Sequence, residues 1–234
     1  MFNKNMVDVL TQVNAVTNSA ILKYPQTVAV SEAGDMQILV DVSKLDEDQF
    51  PNMGFKDSLS DFLSLVKLFG DDRTIEISDN TVNFKNDEAE SSYITDNLML
   101  MEAYNINPEQ FDKTEQAPSV AVFDLEGDDI KKIKQATGVF KDLSEVLITS
   151  QDGDIKVSLG ATNKFNAKSH TYSVVKTADT NKEFQVKIPV ENFKTLPVSS
   201  YEVQIKYNSR IDQYRIILIN KSLEGFKIML SVKV

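Results

Sequence analysis

The sequence predicts an α+β protein made of two copies of one helix–strands–helix–strands unit, rich in antiparallel sheet. Three observations predict it. Residues share one helical face in two places, the apolar Met6, Val9, Leu10, Val13 and Val16, then Ile130, Ile133, Thr137 and Phe140. Each stripe is followed by a pair of β-like runs around a Gly-Asp turn, VAVSEAGDMQILVDV (28–42) and LITSQDGDIKVSLGA (147–161). Leu10 precedes Gly34 by 24 residues and Ile130 precedes Gly153 by 23, a near-constant offset that marks an internal repeat.

The elements follow in order. The first helix has an outer face of Asp8, Thr11, Asn14 and Ala15, polar but nearly uncharged. Strands 27–31 and 36–42 flank the turn Ala33-Gly34-Asp35. A second helix is expected over 58–69, striped by Leu59, Phe62, Leu63 and Val66 and capped by Asp57 or Ser58. Strand-like runs come next at 74–77, 82–85, 92–95 and 98–103. NINPEQFDKTEQAPS (105–119) is polar, holds two prolines and shows no sustained period, so it reads as an extended linker. Domain boundaries are therefore set at 1–104, 105–119 and 120–234. Strands 145–150 and 155–159, a short helix 190–196 between Pro189 and Pro197, and strands 201–207, 214–220 and 226–232 complete the second copy.

Composition excludes several classes. The 234 residues include no Cys, no Trp and one His, so disulfides, Cys-liganded zinc, a thiol nucleophile and a two-His metal site are all ruled out. The apolar runs are far shorter than the ~18 residues that suggest a membrane span. The N-terminus MFNKNMVDVL lacks the apolar core and cleavage site of a secretory signal, giving a cytoplasmic expectation. There is no Gly-x-Ser-x-Gly elbow to pair with His170, and neither glycine-rich phosphate fingerprint occurs. The clusters Asp46-Glu47-Asp48, Asp71-Asp72 and Asp128-Asp129 read as solvated loops and helix caps. Asp152-Gly153-Asp154 lacks the bidentate Glu of a calcium loop and reads as hairpin chemistry. No enzyme, metal or cofactor is expected.

Charge is uneven along the chain. The net is −10 overall, but residues 1–110 carry −12 and residues 111–234 carry +2. In DDIKKIKQATGVFK (128–141) the isoleucines occupy one side of a helical wheel. Lys131, Lys132 and Gln135 lie opposite, with Lys134 on the flank. Lys67 and Lys194 again place lysines on helices of an acidic chain. Such a pattern is either an ordinary solvated face or a set of flexible ammonium groups that contact phosphate without reading sequence.

This order of elements resembles the sliding clamps that tether DNA polymerases, above all those of T-even-type bacteriophages and, more distantly, proliferating cell nuclear antigen. NKNMVDVLTQVNAVTNSAILK (3–23) is similar to the phage clamps' first helix, including Asn18-Ser19. SLSDFLSLVKLFGDDRTIEI (58–77) resembles the second helix and following strand of the cellular clamps, and PVENFKTLPVSS (189–200) their fourth helix and its exit turn. The resemblance covers essentially the whole chain and rests on order, spacing and repeat.

It implies two clamp domains per chain and a homotrimeric ring, with helices lining the hole and antiparallel sheets outside. Double-stranded DNA would be bound without sequence preference. DNA polymerase and a clamp loader would be the protein partners. Lys4, Lys67, Lys131, Lys132, Lys134 and Lys194 would face DNA, whereas Thr11 and Asn14 stand where relatives often carry lysine. The subunit interface would pair Leu98, Met99, Leu100 and Met101 with Thr171, Tyr172, Ser173 and Val174 of the next copy. A pocket for partner peptides would involve Val120, Val122, Phe123, Tyr214, Ile228, Leu230 and Val232. The rival readings are a β-rich structural or assembly protein of a phage and an Asp-based metal enzyme.

Overall fold

Helical apolar spacing and Gly-centred hairpins set out the same series of elements twice. The computed structural model describes residues 4–44, 52–101, 108–151, 153–160, 172–177, 179–180 and 183–232. The chain divides into two units, one of residues 1–108 with 223–226 and the other of 109–222 with 227–234.

In the first unit, α1 (Lys4–Val16) buries Met6, Val9, Leu10 and Val13. Strands β1 (Ala20–Leu22), β2 (Gln26–Val30), β3 (Met36–Asp41) and β4 (Met53–Phe55) form a run ordered β3-β2-β1-β4, with all neighbours antiparallel. Gly34 takes a φ of +73° in the β2–β3 turn, as a left-handed hairpin position requires. Helix α2 (Leu59–Phe69) precedes a separate sheet of β5 (Thr74–Ser78), β6 (Thr81–Lys85) and β7 (Glu90–Ile94).

Within the core of this unit lies a cluster of rings. Phe62 on α2 lies 4.9 Å from Phe55, 5.6 Å from Phe84 and 5.5 Å from Tyr93. Such tilted and edge-on pairs add to the stabilisation that their buried area provides.

Residues Leu98–Met101 form a short helix, α3, not the strand expected over 98–103. A four-residue apolar run carries no period of its own, so its surroundings decide its form. Met101 sits tightly against Gly54, where even a methyl group would meet its sulfur.

The second unit begins with another departure. Within the expected extended linker lies a helix, α4 (Pro108–Glu115). Then come β8 (Ser119–Leu125), α5 (Gly127–Val139), β9 (Glu145–Gln151), β10 (Asp154–Gly160), β11 (Ser173–Thr177), β12 (Asp179–Thr180), β13 (Phe184–Pro189), α6 (Val190–Thr195), β14 (Tyr201–Asn208), β15 (Gln213–Asn220) and β16 (Phe226–Val232). One sheet is ordered β11-β10-β9-β13 and the other runs β12-β8-β14-β15-β16. Gly153 repeats the role of Gly34, with φ +86° between β9 and β10. The core here includes Ile130, Ile133, Val146, Val157, Val186 and Ile188, all at most 2% exposed, with the rings of Phe193 and Tyr201 buried as well.

Candidate nucleic-acid interface

In the first unit α1 and α2 pack against each other by their apolar stripes, leaving Lys4, Asp8, Thr11 and Ala15 of α1 and Asp61, Ser64 and Lys67 of α2 exposed. Thr11 donates its hydroxyl to Val7 O within the helix (2.7 Å). The start of α2 is seated in a way the sequence reading missed. Ser58 occupies the cap position but makes no side-chain cap bond. Instead Asn18 reaches across: its Oδ1 accepts from Ser60 N (2.7 Å), its Nδ2 donates to Asp57 O (2.6 Å), and its carbonyl accepts from Ser58 N and Leu59 N. Ser19 Oγ bonds the Asp57 carboxylate at 2.9 Å. Asn18-Ser19, singled out only for its likeness to phage clamps, therefore joins the exit of one helix to the entry of the next.

In the second unit α5 and α6 pack together. Glu126 and Asp129 form a reciprocal capping box at the start of α5, and Ser200 Oγ accepts from Gly127 N at 3.1 Å. Asp129 is also ion-paired with Lys176, so Asp128-Asp129 serves largely as a helix start. Lys131 and Lys132 are exposed on the outer side, with Gln135 between their turn and the next.

Lys134 behaves differently from the sequence expectation. It is half-buried, donates to Leu196 O at the exit of α6, and burial lowers its pKa. It holds α5 to the end of α6, so its ammonium is committed inside the protein. Lys194 is exposed but pairs with Glu191 at 2.9 Å. Lys4, Lys67, Lys131 and Lys132 make no ion pair with a described residue and stand as open cations on the helix surfaces of their units.

The expected peptide pocket is not a single surface. The ladders place Phe123, Val203, Leu218 and Ile228 in one row, and Val122, Gln204, Ile217 and Met229 in the next. Side chains of adjacent rows point to opposite faces. Phe123, Tyr214, Ile228 and Leu230 belong to one buried face, with Val232 at its margin. Val122, 37% exposed, lies on the other, and Val120 stands at the irregularity where the register of β8 against β14 shifts between Ile205 and Lys206. Sequence reading could not separate these faces because strand pairing, not composition, assigns them.

The second face also carries Lys206, Arg215 and Lys227, which the sequence reading left aside. Lys206 donates to Glu115 O and Ala117 O, both at 2.7 Å, and Lys227 grips the Glu115 carboxylate at 2.7 Å. These bonds hold α4 on that face.

Of the expected interface residues, Leu98, Met99, Leu100 and Met101 are helical; Met99 is exposed and Met101 buried. Tyr172, Ser173 and Val174 lie at or in β11, an end strand of its sheet, and Thr171 lies outside the described residues. His170 and Asp46-Glu47-Asp48 also lie outside them, while Asp71 and Asp72 are exposed in the turn after α2. Among the described residues, no group of three or more His, Asp or Glu is placed to hold a metal, and no helix is long and apolar enough to cross a membrane.

No protein-family model matches the chain. It is 24% identical over 185 residues to the sliding clamp of Vibrio phage KVP40, across 78% of this chain and 80% of that protein. Its fold matches proliferating cellular nuclear antigen from Entamoeba histolytica with a TM-score of 0.66 at 10% identity, covering 97% of this chain and 94% of that one. It also matches A. fulgidus PCNA, solved with the C-terminal region of FEN-1 bound, with a TM-score of 0.68 at 12% identity, covering 98% and 96%. The chain is thus similar in sequence to a phage sliding clamp and shares the fold of the proliferating cell nuclear antigens.

Proposed function

We propose that the chain is a sliding clamp that encircles double-stranded DNA and tethers the replicative DNA polymerase for processive synthesis. The observation that carries this reading is the open lysines on the helix surfaces of an acidic, clamp-folded chain: Lys4 and Lys67 in one unit, Lys131 and Lys132 in the other. Ammonium groups neutralise phosphate without distinguishing bases, so such contacts hold a duplex yet let it slide. The acidic remainder discourages DNA from binding elsewhere on the surface. Retention then comes from topology, not from tight contact. The protein acts as a scaffold without a catalytic centre, in the host cytoplasm, and is placed on DNA by a clamp loader.

Topological tethering needs a closed ring, which on this reading is a homotrimer. Strand β11 supplies an edge with no neighbour beyond it among the described residues, and β7 ends the small sheet of the first unit in the same way. Backbone pairing across such edges is the simplest route to closure. With 98–101 helical, β7 is the better edge of the first unit to meet the 172–174 region of the next copy.

Light scattering over a concentration series tests the ring, with a trimer of about three 26.3 kDa chains expected at high concentration. A strict monomer there would remove topological tethering. Paired with it, Lys131→Glu/Lys132→Glu is expected to shorten polymerase extension products while leaving the mass unchanged. Products of wild-type length would contradict the assigned DNA surface.

A further inference from the structure

The cations beneath α4 have no part in the DNA reading, yet they are among the most deliberately placed groups in the second unit. Lys206 is 6% exposed and donates to two carbonyls at and beyond the end of α4, Glu115 O and Ala117 O. Lys227 holds both oxygens of the Glu115 carboxylate at 2.7 Å, and Arg215 Nη1 donates to Thr114 Oγ1 at 3.3 Å. These three side chains come from three consecutive strands and share the face on which Ile217 and Met229 are buried. Phe111, one turn before Glu115 on the same side of α4, is 1% exposed.

A helix of eight residues is far too short to persist alone. Its final carbonyls lack helical partners and carry the negative end of the dipole. Lys206 satisfies that end, and the helix end in turn satisfies Lys206. If α4 leaves, the ammonium loses these acceptors and must return to water, so its burial is tolerated only while they are in place. Docking of α4 and burial of Lys206 are therefore one event. The two acceptors stand two residues apart, so a slip of α4 along the sheet breaks both bonds together. Burial pulls the Lys206 pKa down while Glu115 and Glu202 pull it up, as expected of a charge kept by its acceptors.

We propose that Lys206 is the bolt of a two-state latch: it locks the end of α4 onto the sheet, and Glu115–Lys227 and Thr114–Arg215 act as weaker outer grips. Latched, the connector covers Ile217 and Met229 and fixes where the chain enters β8. Released, it frees that face. The latch is a property of the second unit alone and does not depend on the clamp reading, so a monomeric or DNA-inert chain would leave it standing.

Hydrogen exchange on the full-length protein tests it, comparing wild type, Lys206→Met and Glu115→Gln. Lys206→Met is expected to speed exchange across 111–117 by about ten- to hundredfold, the size set by hydrogen bonds to a charged group, with β15 and β16 unchanged. Glu115→Gln keeps the carbonyl contacts and is expected to give a rise of only about threefold. Unchanged exchange at 111–117 in Lys206→Met would overturn the latch, as would an equal rise throughout the second unit. If Lys206→Met does not fold, Lys227→Met combined with Glu115→Gln carries the test, with a local rise expected at 111–117 and its absence overturning the proposal.

Discussion

The two units repeat one plan but hold it with different chemistry. In the first, the rings of Phe55, Phe84 and Tyr93 all pack on Phe62, and its second helix is seated by Asn18 from the preceding turn. The second has rings that meet at Tyr214, which Phe184 and Tyr207 contact. Its first helix is capped by its own Glu126–Asp129 box, and Lys134 ties that helix to the end of α6. Their surfaces differ too: Lys4 and Lys67 stand on two separate helices of the first unit, whereas Lys131 and Lys132 stand together on one turn. The repeat thus constrains apolar spacing and the turn glycines, while polar fastening and surface charge vary freely.

That contrast can be broken at its strongest point first. Phe62→Ala removes the centre of the ring cluster and is expected to cost about 3–5 kcal/mol, read by denaturant unfolding with probes in each unit. The loss should appear in the first unit, and an equal loss in both would deny that each has its own core. Lys131→Glu/Lys132→Glu is expected to weaken binding to short linear duplex at least about tenfold at moderate salt while shifting stability by no more than about 0.5 kcal/mol. The matched Lys4→Glu/Lys67→Glu variant should weaken that binding by only about threefold, since those lysines stand apart on two helices and do not act together on one stretch of phosphates. If the first-unit pair proves the stronger, the division of labour between the helix faces is reversed. Asn18→Ala is expected to cost about 1–2 kcal/mol by loss of the cap to α2, measured by thermal unfolding. Ser200→Ala, which touches one amide of α5, should cost less, about 0.5–1 kcal/mol.

How far the sequence was legible follows the same division. Met6, Val9, Leu10 and Val13 point inward as their spacing required, and Gly34 and Gly153 occupy matching hairpin turns, because local periodicity and turn chemistry decide those features. Leu98–Met101 failed because a short apolar run fits a strand or a helix equally well. Helix α4 was hidden because its buried apolar anchor is Phe111 and its remaining partners, Lys206, Arg215 and Lys227, lie about ninety to more than a hundred residues away. The cap of α2 was misassigned for the same reason, since Asn18 stands 42 residues before Ser60. In the DNA-facing set, Lys131 and Lys132 matched the wheel. Lys134 did not, because a flank position on a wheel does not reveal that the Leu196 carbonyl is within its reach. The peptide-pocket set mixed two faces of one sheet, which only the strand register separates.

The most direct test of the central claim is retention on DNA of different topology. The chain is loaded, by the clamp loader proposed for it, onto nicked circular plasmid and onto the same plasmid linearised, and both are then passed through a sizing column in high salt. A ring held by topology stays with the circle and runs off the ends of the linear form, and that is the expected result. Equal loss from both forms, or equal retention on both, would mean that contact affinity alone governs binding and would contradict the clamp.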